Sequence, residues 1–95
     1  MKLMLAIVRD EYAADVTVAL NQKGHSVTRI SSTGGFWRRG NVTLLIGLEE
    51  DEVDSALEII NNHAGPQVEV QEGQNAFPPH RATIFVLDVD SVARY

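Results

Sequence analysis

Apolar positions along this chain follow two rhythms, one of period two and one near 3.6, and the switches between them outline the elements. Leu3 to Val8 is a continuous apolar run rich in β-formers, bounded by Arg9 and Asp10, and predicts a central strand covered on both faces. Asp10 is the expected N-cap of the next element. Tyr12, Val16, Ala19 and Leu20 then recur at helical spacing, with Asp15, Thr17 and Gln22 on the wet side and Gly24 as the stop. His25 to Ser32 predicts a strand of imperfect alternation, since Val27 and Ile30 differ in parity. Asn41 to Leu48 is clearer, with Val42, Leu44, Ile46 and Leu48 on one face and Thr43, Leu45 and Gly47 on the other. A glycine inside a strand, here Gly47, marks a close approach by another backbone or by a ligand.

The second half repeats the scheme. Val53, Ala56, Leu57 and Ile60 are spaced as a helix face, and Asn61 to Pro66 ends that helix with Gly65 and Pro66 as stop signals. Glu49 to Glu52 stands just ahead, where carboxylates meet the positive end of the helix dipole; a metal site is the alternative. Val68 and Val70 suggest a short half-exposed strand over 67–72, and 73–81 is a loop. Ala82 to Val89 is the last strong strand, with Ile84, Val86 and Asp88 opposite Phe85, Leu87 and Val89, and Asp90 to Tyr95 is a tail expected to form one helical turn. The principal order is strand–helix–strand–strand–helix–strand. It predicts an α+β fold of ferredoxin-like βαββαβ type, one domain over 1–95, with an antiparallel sheet and both helices on one face. The first, third and last strands are apolar on both parities, so the face without helices also calls for burial, and the chain is expected to self-associate.

Charge and composition narrow the function. Of 95 residues, 44% are hydrophobic and the net charge is −5, which fits a globular protein and gives the wrong sign for broad attraction to nucleic acid or an anionic membrane. The absence of cysteine excludes thiol catalysis, disulfides and iron–sulfur clusters. The apolar run at the start is too short to span a membrane, and a cytoplasmic location is the expectation. No nucleophile–base pair stands out. His25, His63 and His80 follow no metal-ligand spacing and are expected at the surface or at loop ends. Asp88 and Asp90 share a strand face; strand-end solvation is the expectation, and a carboxylate pair is the alternative. No catalytic residue, metal or cofactor is assigned.

The chemistry concentrates between the second and third strands, where Gly34, Gly35 and Gly40 bracket Phe36, Trp37, Arg38 and Arg39. Bare backbone, flat rings and fixed positive charge together suit a nucleotide: N–H groups of Gly34 and Gly35 for phosphate oxygens, Phe36 or Trp37 for a base, and Arg38 and Arg39 for phosphate or steering. Thr28 adds a hydroxyl, and the Asn41 amide offers donor and acceptor to an adenine edge. Three glycines flank a segment with no core anchor, so the loop is expected to move when no ligand is bound. A polar hairpin loop with one exposed tryptophan is the alternative.

These residues resemble a known family. Val27-Thr28, Thr33-Gly34-Gly35-Phe36, Gly40-Asn41-x-Thr43 and Ile46-Gly47, with Ala6-Ile7-Val8 near the start and Ala82-Thr83-Ile84-Phe85-Val86-Leu87 near the end, are similar to the PII-like cyclic-di-AMP receptors. The segment from Gly65 to Arg81 is shorter than that family's long loop, and Pro78-Pro79-His80-Arg81 replaces its usual glycine pair. The resemblance implies a non-enzymatic PII-like homotrimer binding cyclic di-AMP, or another adenine nucleotide, in clefts between subunits. It implies ligand contacts at Thr28, Gly35, Phe36, Asn41 and Gly47, and a relay through loop order to a downstream protein whose identity is open. The competing expectation is an interaction trimer whose 33–40 loop meets a protein partner directly, without nucleotide. A metal-tolerance-type trimer of the same fold is disfavoured by the lack of cysteine and of clustered histidine.

Overall fold

The computed structural model describes residues 1–30, 40–66 and 81–95. Their elements run β1 (Lys2–Arg9), α1 (Asp10–Gln22), β2 (Val27–Ile30), β3 (Asn41–Leu48), α2 (Val53–His63) and β4 (Ala82–Asp88), with a 3-10 turn at Glu50–Glu52 leading into α2. The sheet order is β2-β3-β1-β4 and every pairing is antiparallel, the ferredoxin-like arrangement expected from the element order. The predicted strand over 67–72 and the loop over 73–80 lie outside the described residues, as does the end of the second predicted strand, 31–32.

One face of the sheet makes the core. Met4, Ala6 and Val8 of β1 and Val42, Leu44, Ile46 and Leu48 of β3 pack against Ala13, Val16 and Leu20 of α1, Ala56 and Ile60 of α2, and Ala64 just after it. Period-two alternation in the strands and 3.6 spacing in the helices therefore meet in one buried layer. The other face carries Leu3, Leu5 and Ile7 on β1, Leu45 on β3 and Phe85 and Leu87 on β4. Register sets Phe85, Leu5, Leu45 and Thr28 in one row across all four strands. No described helix covers this face, and Phe85 and Leu87 stand 47% and 45% exposed.

Several local expectations are corrected. Asp10 is the first residue of α1 and not its cap: Arg9 takes the N-cap position, with no side-chain hydrogen bond to the helix. The Asp10 carboxylate is engaged elsewhere, accepting from Arg29 Nη2 at 2.6 Å. The tail beyond β4 contains no helical turn; Val89 N–H instead donates to the Met1 carbonyl and prolongs the β1–β4 pairing. His25 is buried, although it does sit at a loop end. Asp88 pairs with Lys2 across the β1–β4 ladder, and that hydrogen bond and charge hold its carboxyl below the usual range while raising the Lys2 ammonium. The acidic run behaves as a helix entry: Glu49 N–H donates to Glu52 Oε1 at 2.8 Å within a reciprocal capping box.

The exit of α2 is fastened from outside. Arg81, just before β4, donates to the carbonyls of Asn61 and Gly65, each at 3.1 Å, and to Asn61 Oδ1 at 2.6 Å. A guanidinium here satisfies carbonyls that the helix leaves without partners and faces the negative end of its dipole. Gly65 follows with φ +99, and a Cβ there would lie 2.4 Å from the Tyr12 ring. Gly24, closing α1 with φ +86, has open space around it. The two glycines separate strain from crowding. Gly24→Ala should cost about 1–2 kcal/mol for the left-handed backbone alone, and Gly65→Ala should cost a further ~1–3 kcal/mol for overpacking on Tyr12. Urea unfolding of the two variants measures the difference; equal losses would mean that Tyr12 yields without cost.

Candidate functional site

The nine residues singled out in the sequence divide in the structure. Gly34, Gly35, Phe36, Trp37, Arg38 and Arg39 lie outside the described residues. Thr28, Asn41 and Gly47 are described, all three are exposed, and all three belong to the sheet face away from the helices. Thr28 is there because it pairs with Leu45, and Asn41, Leu45 and Gly47 share parity on β3.

Sharing a face does not bring them together. Thr28 and Gly47 line one cavity of about 410 Å³, whose walls include Leu3, His25, Glu52 and Arg94. Asn41 lines a different, open cavity of about 430 Å³ with Arg9, Asp10, Glu11 and Gly40. Asn41 and Gly47 are six positions apart on β3, which is about 20 Å of extended strand. The two cavities are therefore the two ends of one strand.

The Gly47 end is built around a missing side chain. In the row Leu87–Leu3–Gly47 the glycine leaves a gap, and a Cβ placed there would lie 3.3 Å from Met1 Cε. The close approach expected at this glycine is thus made, within the chain, by a flexible methionine tip. Behind it, His25 Nδ1 lies 3.5 Å from Glu52 Oε2, while Oε1 of the same carboxylate accepts from Glu49 N–H. Glu52 thereby links the entry to α2 with the segment leading into β2.

At the Asn41 end, Asp10 fastens both sides of the 31–39 connection. Its N–H donates to the Gly40 carbonyl at 2.7 Å, and its carboxylate holds Arg29, the penultimate residue of β2. The ion pair is solvent-exposed, so its value is positional more than energetic. Arg9 stands directly across from Asn41 in the β1–β3 register. Sequence reading missed Arg9, His25, Glu52 and Arg94 as wall residues, because each reaches its cavity through strand register or chain return. The one available signal was the Glu49-x-x-Glu52 spacing of a capping box.

Chemically, the two ends offer amide, hydroxyl and backbone groups beside isolated charges. That suits recognition of a small polar ligand more than bond-making. Among the described residues there is no cluster of three metal-ligating side chains, and no helix long and apolar enough to cross a membrane.

Comparison with known proteins gives two findings. A family model described as cyclic-di-AMP receptor matches residues 1–95. Among solved structures, a functionally unknown protein from Pediococcus pentosaceus is similar at 35% identity and a TM-score of 0.76, over 99% of this chain and 96% of that one.

The geometry at Gly47 yields a test. Gly47→Ala should fold with little loss, under about 0.5 kcal/mol, because Met1 can move aside. Loss of ligand affinity in a variant with an unchanged urea midpoint would then report the ligand's own approach to this backbone. A large drop in the midpoint would mean that Met1 is held rigidly.

Proposed function

The chain belongs to the cyclic-di-AMP receptor family, and on that basis we propose that it is a single-domain, PII-like signalling protein that binds a small nucleotide, cyclic di-AMP first, in clefts between the subunits of a homotrimer. The observation that carries this reading is the combination of the whole-length family match with Thr28 and Gly47 lining one cavity on the open sheet face.

Two features support the assembly. The open face presents Leu3, Leu5, Leu45, Phe85 and Leu87, none of them fully buried and with no described helix over them. In addition, Asn41 and Gly47 lie near opposite ends of β3 and line different cavities. A cleft between two copies can bring one end of β3 in one subunit close to the other end in its neighbour. The roles then follow from chemistry. The Asn41 amide pairs with an adenine edge, Phe36 or Trp37 stacks on a base, the Gly34 and Gly35 N–H groups and the Thr28 hydroxyl meet phosphate oxygens, and Arg38 and Arg39 neutralise or steer. Gly47 gives the ligand close access to the backbone. Occupancy is relayed through the order of the 33–40 loop, the surface offered to a downstream protein, and no catalytic step is involved.

Calorimetric titration with a panel of cyclic and linear adenine nucleotides, run alongside light scattering over a dilution series, tests the reading. The expected result is a trimer that binds cyclic di-AMP, with Asn41→Ala and Phe36→Ala each costing about 1–3 kcal/mol of affinity. Arg38→Ala and Arg39→Ala should cost less, and less again at high salt, since exposed charges are screened over about 8 Å at physiological ionic strength. A strictly monomeric species at micromolar concentration, or a trimer indifferent to every nucleotide in the panel, would overturn the proposal.

A further inference from the structure

The cavity at the Asn41 end contains a cation that the roles above leave unused. Arg9 is the last residue of β1, and its register partner on β3 is Asn41. Side chains directly opposite each other in an antiparallel pair leave the sheet on the same face with Cβ atoms about 4.5–5.5 Å apart. Both residues line the same open cavity together with Gly40. Arg9 is half-buried at the end of its strand.

The charges of the described residues around Arg9 are engaged elsewhere or face the helix dipole. Asp10, the nearest acid in sequence, is held by Arg29 at 2.6 Å. Glu11 lines the cavity in the first turn of α1, where its carboxylate faces the positive end of the helix dipole. Among the described residues, no carboxylate forms an ion pair with Arg9. A fixed cation on a paired central strand, beside an amide suited to a base edge, is pre-organised for an anion carried by the same ligand.

We infer that Arg9 is a binding residue of the nucleotide site, its guanidinium donating to a phosphodiester oxygen of the dinucleotide whose base pairs with Asn41. This rests on the nucleotide reading above and adds to it a phosphate contact supplied by the sheet itself. A guanidinium fork meets a phosphate through two parallel hydrogen bonds, where an ammonium offers a point charge. Replacing Arg9 by Lys should therefore retain part of the contact, and replacing it by Gln should remove the charge while keeping much of the stem.

The test is calorimetric titration of cyclic di-AMP into the wild-type protein and the variants Arg9→Gln, Arg9→Lys, Asn41→Ala and Lys23→Gln, at low and high salt. Lys23 lies at the far end of α1, so Lys23→Gln makes the same change in net charge away from the cavity. The expected result is that Arg9→Gln weakens binding on the order of tenfold or more. Arg9→Lys should fall in between, Lys23→Gln should match wild type, and the salt dependence of affinity should be shallower in Arg9→Gln than in wild type. Urea midpoints and light scattering check that Arg9→Gln still folds and assembles as wild type does. Were Arg9→Gln to bind like wild type while Asn41→Ala loses affinity, the role of Arg9 would be overturned and the nucleotide reading would stand. Equal weakening by Lys23→Gln and Arg9→Gln would reduce Arg9 to long-range attraction and overturn the contact. Failure of the wild-type protein to bind would overturn the nucleotide reading and this inference together.

Discussion

The structure depends on β1 being paired along both edges. Its residues are matched to β3 on one side and to β4 on the other over nearly their whole length. A strand hydrogen-bonded on both sides has no backbone group to spare, so its side chains must satisfy two faces. Met4, Ala6 and Val8 do so by entering the helical layer, while Leu3, Leu5 and Ile7 project to the opposite side. The position of each candidate residue follows from this pairing. Asn41 lies opposite Arg9 and Gly47 opposite Leu3 because the register between β1 and β3 is unbroken. A slip of one residue would send the apolar set of β3 to solvent and the candidate residues into the core.

How much of this was legible depended on whether the controlling interaction was local. The limits of β3 could be read because Val42, Leu44, Ile46 and Leu48 alternate without a break, and alternation is a property of neighbours in sequence. The exit of α2 was equally plain, since Gly65 acts within its own turn. The Asp10 side chain was misread for the converse reason. Its local option was to cap α1, but Arg29, nineteen residues on, offers a charge-assisted hydrogen bond, and Arg9 takes the cap position without a side-chain bond. His25 has no sequence neighbour that would bury it; the Glu52 carboxylate arrives from the 3-10 turn that follows β3. The expected helical turn in the tail gave way to continued pairing of Val89 with Met1, a contact invisible to propensity.

The candidate site was legible as a list of residue types and not as an arrangement. Thr28, Asn41 and Gly47 share one face, as strand parity required. Their separation along β3 emerges only once the elements are placed: a motif compact in sequence is extended in space, since each strand residue advances about 3.3 Å. Glycine at 47 illustrates the same point. The pattern marked a close approach, while the identity of the approaching group, a methionine from the start of β1, depends on how β1 lies beside β3.

The two borders of the sheet are unlike one another. β2, described over Val27–Ile30, carries the charged Arg29 beside Thr28, and charge on a border resists pairing with foreign strands. β4 is a border of seven residues whose apolar side chains point both ways: Val86 is exposed on one side, Phe85 and Leu87 on the other. Among the described residues no strand pairs with the outer edge of β4, and a long apolar border of that kind is a template on which another extended chain can add. Of the two described borders, β4 is thus the one more open to a further strand. Self-addition along such a border needs no change in the helical layer or its packing.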